Sequence, residues 1–237
     1  MISLFIATPC YGGNVNVFYM ESIIKLILCC MNQNIKTQYF KVPFESLIPR
    51  ARNVCVSAFM KSDCTHMIFI DADIEFNPYD VIKLINHNKE IIGGIYPTKA
   101  INEQKFIQCM KEDINKTFKE VITSSVNYTS VVQSKGVNEY KYIGTGFMMI
   151  QRELIKRLMQ QNPDLKYKNN INAYKMYEYE NGVWDLFQTK IKNGIYLSED
   201  YGFCELCKEN QVKIFADTSI KLNHIGQMKY YGNPEQN

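Results

Sequence analysis

No stretch of this 237-residue chain is apolar for long enough to span a membrane. The longest candidate, residues 23–31, is broken by Lys25 and falls short of the ~20 residues a span needs. The N-terminus Met1-Ile2-Ser3-Leu4-Phe5-Ile6-Ala7 is apolar, yet it has no basic lead and is too short for the core of a secretory signal. A strong charge of one sign is missing too. The formal net charge is only +3, too weak to argue for nucleic acid and compatible with a small anionic ligand. No GxGxxG follows the first apolar run, and no GxxxxGK(S/T) occurs, so the dinucleotide and P-loop readings fall away. The single CxxC, Cys204-Glu205-Leu206-Cys207, lacks the second pair that a four-thiolate zinc site needs, and on a helix its thiols pack as core. No repeat, low-complexity segment or linker divides the chain. With 46% hydrophobic and 22% charged residues the composition is that of one ordinary globular domain. Eight Cys without a secretory leader point to a reducing compartment, so the expected location is the cytoplasm, or the host cytoplasm for a virus-encoded protein.

What is present is an alternation of buried strands and amphipathic helices. Residues 2–8, 37–42, 67–71 and 90–96 read as strands, and 15–31, 50–61 and 78–86 as helices between them. Pro49 stands where a helix often starts. This order predicts an α/β fold with a parallel, doubly wound sheet and right-handed crossovers. Residues 100–142 are less regular. Three β-like runs there, 106–110, 121–126 and 128–133, suggest a small antiparallel insert. Further on, 147–150 reads as a buried strand, 152–161 as a helix with a solvated basic face (Arg152, Lys156, Arg157), and 164–182 as a mobile polar loop. A short strand at 184–188 follows, then a helix from Ser198 to about 209, closing strands at 212–216 and 219–224, and a polar tail over 227–237.

One stretch organises the rest. In Met67-Ile68-Phe69-Ile70-Asp71-Ala72-Asp73 an apolar run ends in two carboxylates separated by one small residue. In extended chain, positions i and i+2 project to the same side, which would aim Asp71 and Asp73 together. Carboxylates that close repel unless a cation lies between them, and hard oxygen ligands suit Mg²⁺ or Mn²⁺. Ligands of open α/β sheets bind beyond the carboxyl ends of the strands. A solvated turn carrying two Asp explains the pair equally well in isolation. Glu199-Asp200 at a helix start also fits a helix dipole, and a lone His224 also fits a structural role. Their joint occurrence in this order is far more specific.

The order Thr8-Pro9, Pro49-Arg50-Ala51-Arg52-Asn53, His66 to Asp73, Gly93-Gly94-Ile95-Tyr96-Pro97, Gly144-Thr145-Gly146-Phe147, Ser198-Glu199-Asp200 and His224 resembles the GT-A fold glycosyltransferases, notably the small single-domain enzymes of bacteria and large DNA viruses. The likeness runs from residue 2 to about 226, apart from 100–142 and 164–182. It implies a GT-A type Rossmann-like sandwich: a mostly parallel central sheet, helices on both faces and a small antiparallel insert. It further implies a nucleotide-binding half over about 1–99 and an acceptor-binding half over about 100–226. By the same resemblance Thr8, Pro9 and Tyr11 hold the base, and Arg50, Arg52, Asn53 and Ala72 lie against the nucleotide or its phosphates. Asp71 contacts ribose and metal, Asp73 binds the metal directly, and His224 is a late metal or diphosphate ligand. Asp200 is the general base of an inverting transfer, with Glu199 beside it. Gly144 and Gly146 would let backbone approach the sugar. The implied cofactors are Mn²⁺ or Mg²⁺ and a nucleotide-sugar donor, UDP-linked by family frequency with GDP open; the implied acceptor is a glycan or glycoprotein.

Three other readings compete. A phosphatase of the haloacid dehalogenase type also uses D-x-D on a parallel sheet, but places it on an early first strand. A nucleotidyltransferase shares the layered core but starts with a basic Gly-rich loop, and residues 8–14 have the glycines without the bases. A catalytically inactive nucleotide-sugar-binding module would not need to keep Asp71, Asp73, Asp200 and His224 together.

Overall fold

The computed structural model of the protein describes residues 2–236; Met1, at the head of the apolar N-terminus, and Asn237, at the end of the expected tail, lie outside them. The chain opens with β1 (Ser3–Cys10), α1 (Val17–Asn32), β2 (Lys36–Pro43), α2 (Ile48–Lys61) and β3 (His66–Ile70). It continues through β4 (Ile74–Glu75), α3 (Pro78–His87), β5 (Ile91–Gly93) and β6 (Pro97–Ile101). Next come α4 (Glu103–Glu112), α5 (Phe118–Ser125), β7 (Val126–Tyr128), β8 (Val137–Tyr140), β9 (Phe147–Gln151) and α6 (Arg152–Gln161). After these lie β10 (Lys166–Tyr167), α7 (Asn172–Lys175), β11 (Val183–Trp184), β12 (Lys190–Lys192) and β13 (Ile195–Leu197). The chain closes with α8 (Glu199–Glu209), β14 (Ile214–Asp217), β15 (Asn223–Ile225) and β16 (Lys229–Tyr230).

Seven strands form the central sheet in the order β2-β1-β3-β9-β5-β14-β8. β2, β1 and β3 are parallel, as are β5 and β14. β9 runs antiparallel to both β3 and β5, and β8 antiparallel to β14. Because β3 and β5 both oppose β9, the strands β2, β1, β3, β5 and β14 share one direction. The sheet is the mostly parallel one expected, but it is not purely parallel. Gly93 at the end of β5 pairs with Met148 at the start of β9, so the excursion between them returns to the end it left, and the strand must descend.

Side chains of β1 alternate between the two faces. Phe5 and Ala7 join the core beneath α2, α6 and α8, while Leu4 and Ile6 join the core beneath α1 and α3. Helices therefore cover both faces. Their starts follow local chemistry: the Asn16 side chain accepts from Phe18 N–H, Asn77 accepts from Tyr79 N–H before Pro78, and Pro49 sits in the first turn of α2. Cys204 and Cys207 are buried in the core, as the CxxC reading required.

Four local expectations are corrected. In the insert, 106–110 and 121–125 are helical, inside α4 and α5. Asn102 caps the first, and a reciprocal Thr117–Glu120 capping box starts the second, signals that outweigh short apolar runs. Only β6 and β7 form an antiparallel pair there. The 164–182 segment is built rather than loose: it carries β10 and α7, and Ser57 Oγ donates to Tyr177 O (2.8 Å) and accepts from Tyr179 N (3.0 Å). Part of the tail is strand, since β16 pairs with β15, which pairs with β4. Finally, Arg152 is no solvated side chain. Its guanidinium donates to the carbonyls of Phe59 (2.7 Å), Met60 (3.2 Å), Ser62 (2.8 Å) and Cys64, closing the C-terminus of α2 over the Phe59 ring. Among the described residues no helix is long and apolar enough to cross a membrane.

Arg152 satisfies carbonyls that the end of α2 otherwise leaves orphaned. Arg152→Ala is expected to lower stability by about 2–4 kcal/mol in urea denaturation, and Arg152→Lys to recover less than half, because an ammonium cannot fork to four carbonyls.

Candidate active site

The residues Asp71-Ala72-Asp73 form a turn after β3, closed by Ile74 N–H donating to Asp71 O (3.1 Å). The two Asp are not i and i+2 of an extended strand, as the sequence reading supposed. Three distant segments pin this turn through its backbone. Asp71 N–H donates to Gly146 O (3.0 Å), Asn16 N–H donates to Ala72 O (2.9 Å), and Ile225 N–H donates to Asp73 O (2.8 Å). The starts of α1 and β9 and the end of β15 thus converge on it. Above the turn lies a cavity of about 790 Å³ at the carboxyl ends of the parallel strands, with Asp71, Ala72 and Asp73 in its wall. A cavity of about 410 Å³ around Ser3, Lys36 and Asp63 lies at the opposite strand ends and gathers no comparable set of charges.

The Arg52 side chain, on α2, is 4% exposed and stands at the centre of the wall. Its Nη2 donates to Asp71 Oδ1 (3.2 Å) and its Nε to Glu199 Oε1 (3.2 Å), with the guanidinium 5.2 Å from the Phe69 ring. Burial works against the charge, but the carboxylates of Asp71 and Glu199 more than offset it, so its pKa lies above the ordinary guanidinium value. Nη1 is buried with no hydrogen-bond partner. An orphaned guanidinium donor is costly unless a ligand accepts from it.

Asp73 has two cationic neighbours of its own. Lys99 Nζ, from β6, lies in close contact with Oδ2, and His224 Nε2 is 3.4 Å from Oδ1. Burial acts to raise the Asp73 pKa; hydrogen bonds from His224 and Lys99 outweigh it and hold the carboxyl below its usual value. His224 Nδ1 is 2.8 Å from the Pro97 carbonyl, which only accepts, so Nδ1 carries a proton and Nε2 is the ring nitrogen that faces Asp73. A ring proton held by a carbonyl is the usual outer-shell arrangement of a metal-binding His. In kind, the carboxylate oxygens of Asp71 and Asp73 suit Mn²⁺ or Mg²⁺, whereas an imidazole nitrogen is more usual on a transition metal. Among the described residues, however, no group of three or more His, Cys, Asp or Glu is already gathered as a metal cage.

Of the residues singled out in sequence, Pro9, Tyr11, Arg52, Asp71, Ala72, Asp73, Glu199 and His224 line the cavity. The others do not. Thr8 is fully buried and shares its hydroxyl with Tyr19. Both Arg50 bonds go to the buried Glu45 (2.7 and 2.8 Å), so Arg50 is spent on a carboxylate of the protein rather than set in the cavity lining. Asn53 is spent on Asp185 (2.6 Å) and the Phe187 amide (3.0 Å), fixing α2 to the 183–188 segment. Gly144 and Gly146 make room for Tyr96 inside the protein: an added Cβ would come within 2.5 and 2.7 Å of its hydroxyl, and at Gly146 within 2.9 Å of Asp71 Oδ2. Asp200 sits in the first turn of α8 outside the cavity wall, and both of its hydrogen bonds, from Ser198 Oγ and Tyr201 N–H (2.8 Å), fall on Oδ1. Sequence reasoning missed Lys99 and Glu45. Lys99 follows the Gly93–Pro97 run by two residues but bears no motif of its own.

No family model matches the sequence, and no curated protein does. Solved structures similar in fold include A197 from STIV, at 16% identity and TM-score 0.51 over 95% of this chain and 86% of that one. A glycosyltransferase involved in glycosylation of the major capsid of PBCV-1 matches at 11% identity and TM-score 0.31 over 67% of this chain and 66% of that one. A protein described as a glucose-1-phosphate thymidylyltransferase from Bacillus anthracis matches at 9% identity and TM-score 0.34 over 68% and 75%. At 16% identity the likeness to A197 concerns the fold alone, and the other two matches, with TM-scores of 0.31 and 0.34, are too distant to bear on it.

Arg52→Lys keeps a charge but cannot reach both carboxylates, so a loss of about 1.5–3 kcal/mol in urea denaturation is expected. A pH test applies to Glu45, which is buried in the cavity wall. Burial acts to raise its pKa, yet hydrogen bonds from Arg50 and the Leu47 amide outweigh this and hold it below the usual value. The stability it contributes is therefore complete above the unfolded Glu pKa of ~4.3 and is lost as pH falls through the lower folded value. Glu45→Gln is expected to be less stable than wild type at pH 7, with the gap closing below about pH 4 in thermal melts.

Proposed function

We propose that this protein is a metal-dependent glycosyltransferase that moves a sugar from a nucleoside-diphosphate donor to an acceptor hydroxyl with inversion. The observation that carries the reading is the orphaned Nη1 of buried Arg52 in a strand-end cavity that also holds Asp71, Asp73, Lys99 and His224. The formal charges support it. Asp71, Asp73, Glu199 and Glu45 in the wall stand against its two permanent cations Arg52 and Lys99 and against Arg50, outside the lining but paired with Glu45, leaving the set one charge short of neutral. Such a wall takes up a cation together with an anion more readily than a bare diphosphate.

In this reading Asp73, Asp71 and His224 would hold Mn²⁺ or Mg²⁺, which when bound would supply charge neutralisation for the departing diphosphate. Arg52 donates Nη1–H to a phosphate oxygen and keeps Asp71 and Glu199 oriented. Lys99 can turn from Asp73 to the diphosphate. Pro9 and Tyr11, at the rim, lie against the base. The acceptor oxygen attacks the anomeric carbon as the bond to the diphosphate breaks, and Asp200 Oδ2 takes the hydroxyl proton. UDP is the carrier proposed, and a glycan or glycoprotein the acceptor. The second reading is nucleotidyl transfer, favoured by the same observation, since Arg52 and Lys99 suit the phosphates of either reaction.

One screen separates the two. Nucleotide sugars are offered with Mn²⁺, and released nucleoside diphosphate is measured; nucleoside triphosphates with sugar phosphates are offered in parallel, and released pyrophosphate is measured. Nucleoside diphosphate release and an inverted anomeric centre by NMR coupling are expected. Pyrophosphate release alone would overturn glycosyl transfer. Asp73→Ala is expected to abolish turnover and weaken Mn²⁺-assisted nucleotide binding in calorimetry. Asp200→Asn is expected to keep near-normal nucleotide affinity while losing on the order of 10²–10⁴ in rate. A retained configuration, or an Asp200→Asn protein of ordinary rate, removes Asp200 from the base role.

A further inference from the structure

Helix α1 is apolar on two sides. Its inner side puts Tyr19, Ile23, Leu26 and Cys30 into the core. Its outer side carries Val17, Met20, Ile24, Leu28 and Met31, each between 48 and 63% exposed. Single exposed apolar residues are ordinary, but these five are spaced 3, 4, 4 and 3 apart and so form one stripe along the helix, about 21 Å long. A contiguous apolar stripe of this kind marks a contact surface.

We propose that the stripe is a homodimer interface in which α1 packs antiparallel against α1 of a second copy, about a two-fold axis through Ile24. The inference does not depend on the reading of the cavity. Two observations select this occupant. First, the stripe is symmetric about Ile24: Met20 and Leu28 lie four residues to either side, and Val17 and Met31 seven. A reversed copy therefore presents the same pattern. Val17 meets Met31 of the second copy, Met20 meets Leu28, and Ile24 meets itself, which is the self-complementarity a two-fold contact needs. The repeat of seven through Val17, Ile24 and Met31 is that of a helix–helix seam. Second, between residues 11 and 35 the only charged side chains are Glu21 and Lys25, and they pair with each other at 2.6 Å. The helix is thus neutral and lacks the Lys- and Arg-rich polar face by which a helix is drawn to an anionic lipid surface.

A seam one helix wide is smaller than the ~1,600 Å² of a standard interface, so micromolar association is expected. Sedimentation equilibrium of the full chain, extended to about 100 μM, is expected to move from 27.6 kDa toward twice that mass. Ile24→Glu places two like charges on the axis and is expected to leave a monomer. Val17→Glu is expected to weaken the dimer at least tenfold. Adding Met31→Lys is expected to restore it, because each new Glu then faces a new Lys on the other copy. These positions are exposed, and circular dichroism checks that the fold is kept. A wild-type chain that stays monomeric throughout, a double variant that stays dissociated, or a monomer that co-sediments with phosphatidylcholine–phosphatidylserine vesicles would each overturn the proposal.

Discussion

The site depends on one buried guanidinium. Arg52 bridges Asp71, at the end of β3, and Glu199, at the start of α8, residues 128 positions apart in sequence (199 − 71). A buried charge is tolerated only when it is paired and hydrogen-bonded, so the two carboxylates and the cation hold one another in place. Remove Arg52 and the carboxylates of Asp71 and Glu199 lose the cation they share. Keep it and the first α/β unit is locked to the last helix. The pairing is incomplete at Nη1, which is buried without a hydrogen-bond partner on a residue that lines the cavity. Strain left at a site in this way signals function more than stability, since an apolar packing would be at least as stable.

Around that ion pair the protein is stiff where chemistry needs it. The turn at Asp71–Asp73 is held by backbone hydrogen bonds from three separate segments, so its carboxylates do not depend on flexible side-chain contacts alone for their placement. Tyr96 braces this arrangement from inside the protein. Its buried hydroxyl accepts from Gly146 N–H (3.0 Å), and its ring is packed edge-on to His224. Gly144 and Gly146 are needed for this close fit: a side chain at either would push Tyr96 against the turn. The glycines act on the site from inside the protein: the Tyr96 ring packs against His224 while its hydroxyl holds Gly146, whose carbonyl accepts from Asp71 N–H (3.0 Å).

Asp73 illustrates a second kind of economy. It is neutralised by Lys99 on one oxygen and faces His224 on the other, so the fold has no bare carboxylate at the cavity floor. Lys99 lies on a flexible stem that reaches other acceptors without backbone motion. A cation that is mobile beside one that is fixed, Lys99 beside Arg52, gives the wall a part that can adjust to a ligand and a part that cannot.

The periodicity of residues 2–99 determined the layered α/β core, because strands buried on both faces and helices with one apolar stripe leave strong local signals. The acid pair at the end of the third strand and the Glu199-Asp200 helix start were legible because each is tied to the end of an element; His224 was expected to end a 219–224 strand and lies instead in the middle of β15. The helices inside the 100–142 excursion were also written locally, in the Asn102 cap and the Thr117–Glu120 capping box that outweigh short apolar runs. Two things were decided only by tertiary structure. The direction of β9 depends on where the 100–142 excursion returns. The partners of each charge depend on chain segments far apart, so Arg52 reached the cavity while neighbouring Arg50 and Asn53 were taken by Glu45 and Asp185, and Lys99 arrived unannounced. Local sequence carries propensity and burial; which charges meet is a property of packing, and packing is not local.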